Sequence, residues 1–149
     1  MPTTTLSRAS KAPVTIFAGG STANLASGSN AASGSVDFSG SNPAIGGYAL
    51  GYWTLSGQAG GVPSLPSGWS VYAQPASDTT PATGVKPAGP FSATILAAAD
   101  DSAAFARSSP VVEAPPPVSC KVVLYNDGTG QQLNAGWSLT WTPIADQGS

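Results

Sequence analysis

Histidine is absent from all 149 residues. The chain therefore lacks the side chain most often used as a general base near neutral pH, which is also the commonest zinc ligand. Neither a Ser-His-Asp nor a Cys-His nucleophilic device can be assembled within it. Charge is nearly as scarce. Asp, Glu, Lys and Arg make up 8% of residues and the net charge is −2, against about 25% charged residues in an ordinary soluble domain. Five scattered basic residues leave no electrostatic footprint for nucleic acid. Cys120 is the one cysteine, so no intrachain disulfide is possible. No run approaches the ~20 apolar residues of a membrane helix, so no membrane contact is predicted. The opening Met1-Pro2-Thr3-Thr4-Thr5 has no apolar secretory core, which predicts synthesis and folding in the cytoplasm.

Carboxylates are few: Asp37, Asp78, Asp100, Asp101, Glu113, Asp127 and Asp146. Asp100 and Asp101 form the only adjacent pair, and neighbours on a helix do not face each other. They read as a helix start rather than an acid/base dyad. Asp127-Gly128-Thr129-Gly130 lacks the spaced acidic ligands and closing Glu of a calcium loop, so it reads as a turn. No Gly-Lys-Ser/Thr phosphate loop occurs, and no G-x-G-x-x-G opens a helix after a strand. The expectation is a protein that is not an enzyme, with no catalytic residues, no cofactor and no metal.

What the chain does contain is apolar and aromatic. Hydrophobic residues reach 41%, with four Trp, four Tyr and four Phe. Disorder usually pairs high net charge with few aromatics, so this composition predicts a folded unit, and the length suits one domain. Short alternating runs separated by turn clusters predict an all-β fold. The runs are Val14–Phe17, Val36–Phe38, Gly47–Leu55, Trp69–Gln74, Phe91–Leu96, Cys120–Tyr125 and Trp137–Thr142. About seven strands with frequent turns point to a single-domain β-sandwich or jelly roll. In Gly47–Leu55, apolar residues on both faces predict a central strand buried on both sides along part of its length. The polar stretch 19–35 reads as a loop. Residues 75–90, with four prolines, read as a long exposed loop, and Pro115-Pro116-Pro117 forces an extended path. Residues 97–107 are the one plausible short helix, with Asp101 or Ser102 at its start and Arg107 near its end. Residues 1–12 read as a flexible arm, and 13–149 as the sandwich domain.

A surface with so little charge has little repulsion to keep protein copies apart, which predicts cover by partners. The candidate contacts are Arg8 and Lys11, the only charges of the arm, with Tyr72 and Tyr125, which share strand faces with polar neighbours. Trp53, Trp69, Trp137 and Trp141 admit two readings, a core or a sugar-stacking platform. For Trp137 and Trp141 the apolar alternation favours the core.

A Thr/Ser-rich arm ending at Lys11, a Gly/Ala/Ser/Thr-rich β domain and Pro-rich loops at 75–90 and 110–117 together resemble the head decoration, or cement, proteins of tailed bacteriophages. The resemblance is one of composition and spans the chain. It implies a virion protein assembled in the host cytoplasm, binding and stabilising major capsid subunits or other virion proteins as a homo-oligomer, with a trimer favoured. The alternatives are a carbohydrate-binding or host-recognition module, suggested by the Trp-rich strand Gly136–Pro143, and a phage tail or fibre component.

Overall fold

The computed structural model describes residues 6–79, 81–82, 85–87 and 89–148. Among these residues the chain forms ten strands and no α-helix. They are β1 (Leu6–Ser10), β2 (Val14–Phe17), β3 (Asn30–Asp37), β4 (Leu50–Gly57), β5 (Gly68–Pro75), β6 (Phe91–Leu96), β7 (Phe105–Ser108), β8 (Val112–Glu113), β9 (Ser119–Asp127) and β10 (Ser138–Gly148). All pairings are antiparallel. In one sheet β10 pairs with β1 and then β2 along one side and with β4 along the other, and β4 pairs in turn with β7 and β8. The second sheet runs β3-β9-β5-β6. Each sheet is thus effectively four strands wide, and the two pack as the expected β-sandwich.

Alternation places the core. Trp141 and Leu139 of β10 stand opposite Trp53 and Leu55 of β4, and all four are fully buried. The Trp53 and Trp141 rings lie 4.7 Å apart and tilted, with Phe38 edge-on to Trp141 at 6.5 Å. From the other sheet come Trp69, Val71 and Ala73 of β5 and Cys120, Val122 and Leu124 of β9. Gly51 lets the Trp141 ring lie flat across β4: a Cβ there would run into the indole and stand 2.6 Å from the Thr142 carbonyl oxygen. The expected turn after β9 also forms. Gly128 and Gly130 take φ of 74° and 70°, which glycine adopts without a Cβ clash. Buried Asn126 anchors the turn, donating from Nδ2 to the carbonyls of Leu25 (3.0 Å) and Gln131 (2.9 Å).

Several expectations are corrected. There are ten strands rather than about seven, because the pieces β1, β2, β7 and β8 share columns of the first sheet. Residues 97–107 do not form a helix. An isolated helix of this length is marginal in water, whereas Phe105–Ser108 gains ladder bonds to Thr54–Gly57 and stacks Phe105 on Trp69 at 5.2 Å. Asp101 closes a turn instead: its Oδ2 accepts from the Ala98 N–H and from Arg107 Nη1, both at 2.8 Å. Residues 30–37 of the expected loop and its flank are strand β3, paired with β9. Leu6–Ser10, expected within a flexible arm, is strand β1 against Ile144–Gly148; the rest of the arm before it, 1–5, lies outside the described residues. β4 is central as expected, but only its Gly51, Trp53 and Leu55 face is fully buried. The strand buried on both faces is β5.

Candidate functional site

The four candidate contact residues do not converge. Lys11 is exposed; its N–H donates to the Pro143 carbonyl at 2.8 Å, and its Nζ lies 5.7 Å from the centre of the Tyr48 ring. Arg8 is on β1 with its Cα opposite Asp146, and its side chain lies outside the described residues. Both belong to the β1 border of the first sheet. Tyr72 and Tyr125 lie instead on the outer face of the second sheet, where Tyr125 is half-buried.

Tyr72 is 5% exposed, which corrects its expected role as a surface contact. The cover comes from far along the chain. Across the sheet, Phe91, Tyr72, Val123 and Ala32 form one cross-strand row, and described residues of the Pro-rich connection between β5 and β6 lie against the neighbouring surface. Asn30 Nδ2 donates to the carbonyls of Val85 (3.0 Å) and Ala82 (3.3 Å), and Lys121 Nζ donates to that of Asp78 at 2.9 Å. Lys86 reaches Asp127 at 3.5 Å. Tyr72 first, and the Asp127 carboxylate second, hold the Lys86 ammonium above its ordinary range. Pro87 is buried and Val123 is fully covered. The described residues of the 75–90 loop are thus fastened against the sheet at several points, while most of them stay exposed as expected.

The tryptophans are equally committed. Trp53, Trp69 and Trp141 are fully buried and Trp137 is 1% exposed. No sugar can stack on them while the core is closed. Trp53 Nε1 donates to Ser92 Oγ and Trp137 Nε1 to the Ala23 carbonyl, each at 2.8 Å. Among the described residues no three His, Cys, Asp or Glu side chains gather as a metal shell, and no helix is long and apolar enough to cross a membrane.

Cys120 sits in the core with no exposed surface, its Sγ 3.5 Å from the Val118 carbonyl oxygen. Burial pushes the thiol pKa up, and the thiolate is the reactive species. Native protein should therefore show negligible reaction with a soluble disulfide reagent at pH 8, with full labelling in denaturant. Rapid labelling of the native chain contradicts this packing. The sign of the linkage follows: the folded state holds this proton more tightly than the unfolded chain. The thiol's contribution is intact below the unfolded pKa, and stability declines as pH rises above it.

What the fold does assemble is an opening between the two sheets, where β6 borders one and β7 and β8 border the other. Sequence patterning finds β6 as a strand, but its place at the sheet border is a matter of topology. Phe91 (58% exposed) and Leu96 (65%) stand at its rim with Pro110 and Val111. A groove of about 620 Å³ runs along it, lined by Phe91, Thr94, Leu96, Arg107, Pro110 and Val112 among others. A second hollow of about 550 Å³ continues past Phe91 and Pro90 toward Glu113–Pro116. Arg107, the cation of the first groove, is turned to Asp101 at 2.8 Å and Asp100 at 3.6 Å. The groove thus offers apolar surface and backbone groups, with its cation already paired. No protein-family model, characterised protein or solved structure matches this chain.

Proposed function

We propose that this chain is a structural protein of a virus particle, of the head decoration or cement type, which stabilises the shell by adding contact area between subunits. The observation that carries the reading is the apolar opening beside β6, where Leu96 and Phe91, the latter packed on one side by Tyr72, both stay more than half exposed. The sparse charge supports it as well, since 8% charged residues oppose close packing of copies only weakly. Burying apolar surface is worth about 25 cal/mol per Å², and a stable interface buries about 800 Å² on each partner. Many modest contacts repeated over a shell then stabilise it with no chemistry. The partners in this reading are major capsid subunits and further copies of the chain, and the location is the virion.

Particles purified from the source on a density gradient provide the test. The chain should travel with intact heads, and Leu96→Asp should weaken its retention on heads at least tenfold, about 1.4 kcal/mol. Its absence from heads, or its presence on tails alone, rejects the decoration role.

A further inference from the structure

Formal charge is spread unevenly over the chain. Around the β6 opening stand three carboxylates, Asp100, Asp101 and Glu113, against one cation, Arg107, which leaves −2. The other four cations and four carboxylates balance each other, so the whole net charge of −2 belongs to this opening. Arg107 offsets only one of its two acidic neighbours. It lies 2.8 Å from buried Asp101 and 3.6 Å from Asp100, whose side chain is 84% exposed. Asp101 Oδ1 is itself buried without a hydrogen-bond partner. Glu113 is exposed at the hollow past Phe91 and forms no ion pair among the described residues. The two acidic points mark opposite ends of the opening. Arg107 donates to the Leu96 carbonyl at 3.4 Å, which brings Asp100 to that end of β6. Glu113 shares its hollow with Phe91, five strand steps or about 17 Å from Leu96. Between them lie Phe91, Leu96, Pro110 and Val112 of the apolar groove. The strand border gives a further strand little hold. A bulge sets Ser92 out of register, and the Leu96 carbonyl is taken by Arg107. An occupant is therefore gripped through its side chains.

We propose that the β6 opening receives an extended segment of a partner protein that carries two apolar side chains between a pair of Lys or Arg residues. This rests on reading the opening as a protein-contact surface, and it names the chemistry of the partner. Charge makes the selection. Like charges brought together across an interface disfavour the wrong partner, so an acidic segment, a nucleic acid, an anionic membrane or the same face of a second copy is opposed. A cationic segment is attracted. Alternate residues of an extended chain point to one side. Two apolar residues at alternate positions then meet Phe91 and Val112 at one end and Leu96 and Pro110 at the other. The flanking cations reach Glu113 and Asp100, the two carboxylates left exposed. A segment without the cations, or without the apolar pair, leaves half of this surface unmatched.

The purified chain tests this without any shell. The probe is the peptide acetyl-Lys-Ser-Leu-Ser-Leu-Ser-Lys-amide, whose cations stand about 20 Å apart when extended. Followed by NMR at low salt, it should shift the backbone amides of Phe91–Leu96 and Val112–Glu113 with a dissociation constant of about 1 mM or tighter. Replacing both lysines of the peptide by glutamine should weaken binding about fivefold, the effect of losing two exposed ion pairs. Combining Asp100→Asn with Glu113→Gln in the chain should do the same. Both positions are exposed, so circular dichroism should show an unchanged fold. Absence of shifts at about 5 mM peptide, five times that constant, overturns the inference. Shifts confined to other parts of the chain, or equal affinity for the glutamine peptide, overturn it as well. Heads separate this inference from the shell role. If the double variant is retained like the unmodified chain while Leu96→Asp is lost, the opening remains the contact and the cationic partner falls. Specific peptide binding by a chain that never travels with heads would instead keep the cationic partner and remove the shell role.

Discussion

Trp141→Ala is expected to destabilise the protein by about 3–5 kcal/mol, the range for deleting a large buried aromatic. The ring is fully buried, lies 4.7 Å from Trp53 and 6.5 Å from Phe38, and covers the backbone of Gly51. It therefore joins β10, β4 and the segment after β3 at one point. The surrounding strands are tied by ladder bonds and cannot close the void, so the cavity adds to the lost transfer energy. Trp141→Phe should cost much less, since it keeps an aromatic ring and discards an indole N–H that has no hydrogen-bond partner. Urea unfolding followed by fluorescence and circular dichroism gives both values. A loss below about 1 kcal/mol for the alanine variant would show that Trp141 is not a keystone of this core.

Arg107→Met should cost about 3 kcal/mol, because breaking a buried pair strands the remaining charge. Asp101 has no exposed surface. Without the guanidinium, its Oδ2 keeps only the Ala98 N–H, and its Oδ1 already lacks a partner. The methionine retains most of the aliphatic stem, so the loss reports charge rather than packing. Combining it with Asp101→Asn should recover part of the stability, as the carboxylate then no longer needs a counter-ion. Lys86→Met is the contrast: its ion pair with Asp127 is exposed on both sides, where such pairs contribute little, and stability should be unchanged within error. Equal losses for Arg107→Met and Lys86→Met would refute the distinction. The same denaturant titrations give all three values.

Which parts of this architecture can be read without coordinates follows from where the information lies. Trp137, Leu139 and Trp141 alternate with hydroxyl residues, and the turn after β9 carries two glycines, so the C-terminal strands are local patterns with local causes. β3 is not, since Asn-Ala-Ala-Ser-Gly-Ser has little β-branched or aromatic content and is held by its pairing with β9. Residues 97–107 are rich in alanine and favour a helix in isolation. A stack on Trp69 and a ladder with β4, both distant in sequence, override that propensity. Tyr72 misleads for the same reason: its polar neighbours suggest an exposed face, and the cover arrives with the segment that reaches back toward Asn30 and Lys121. The candidate contact strand lies between these cases. Its alternation is plain in Phe91–Leu96, whereas its place at the sheet border depends on the order of strands.

The pairing of β1 with the end of β10 sets Leu6 beside Gly148 and Ser10 beside Ile144. Tension applied between residues 6 and 148 would load the bonds of that pair one after another, like a zip opened from its tab, instead of all together. The outer strand can then peel away under strain while the Trp-filled layers behind it stay shut.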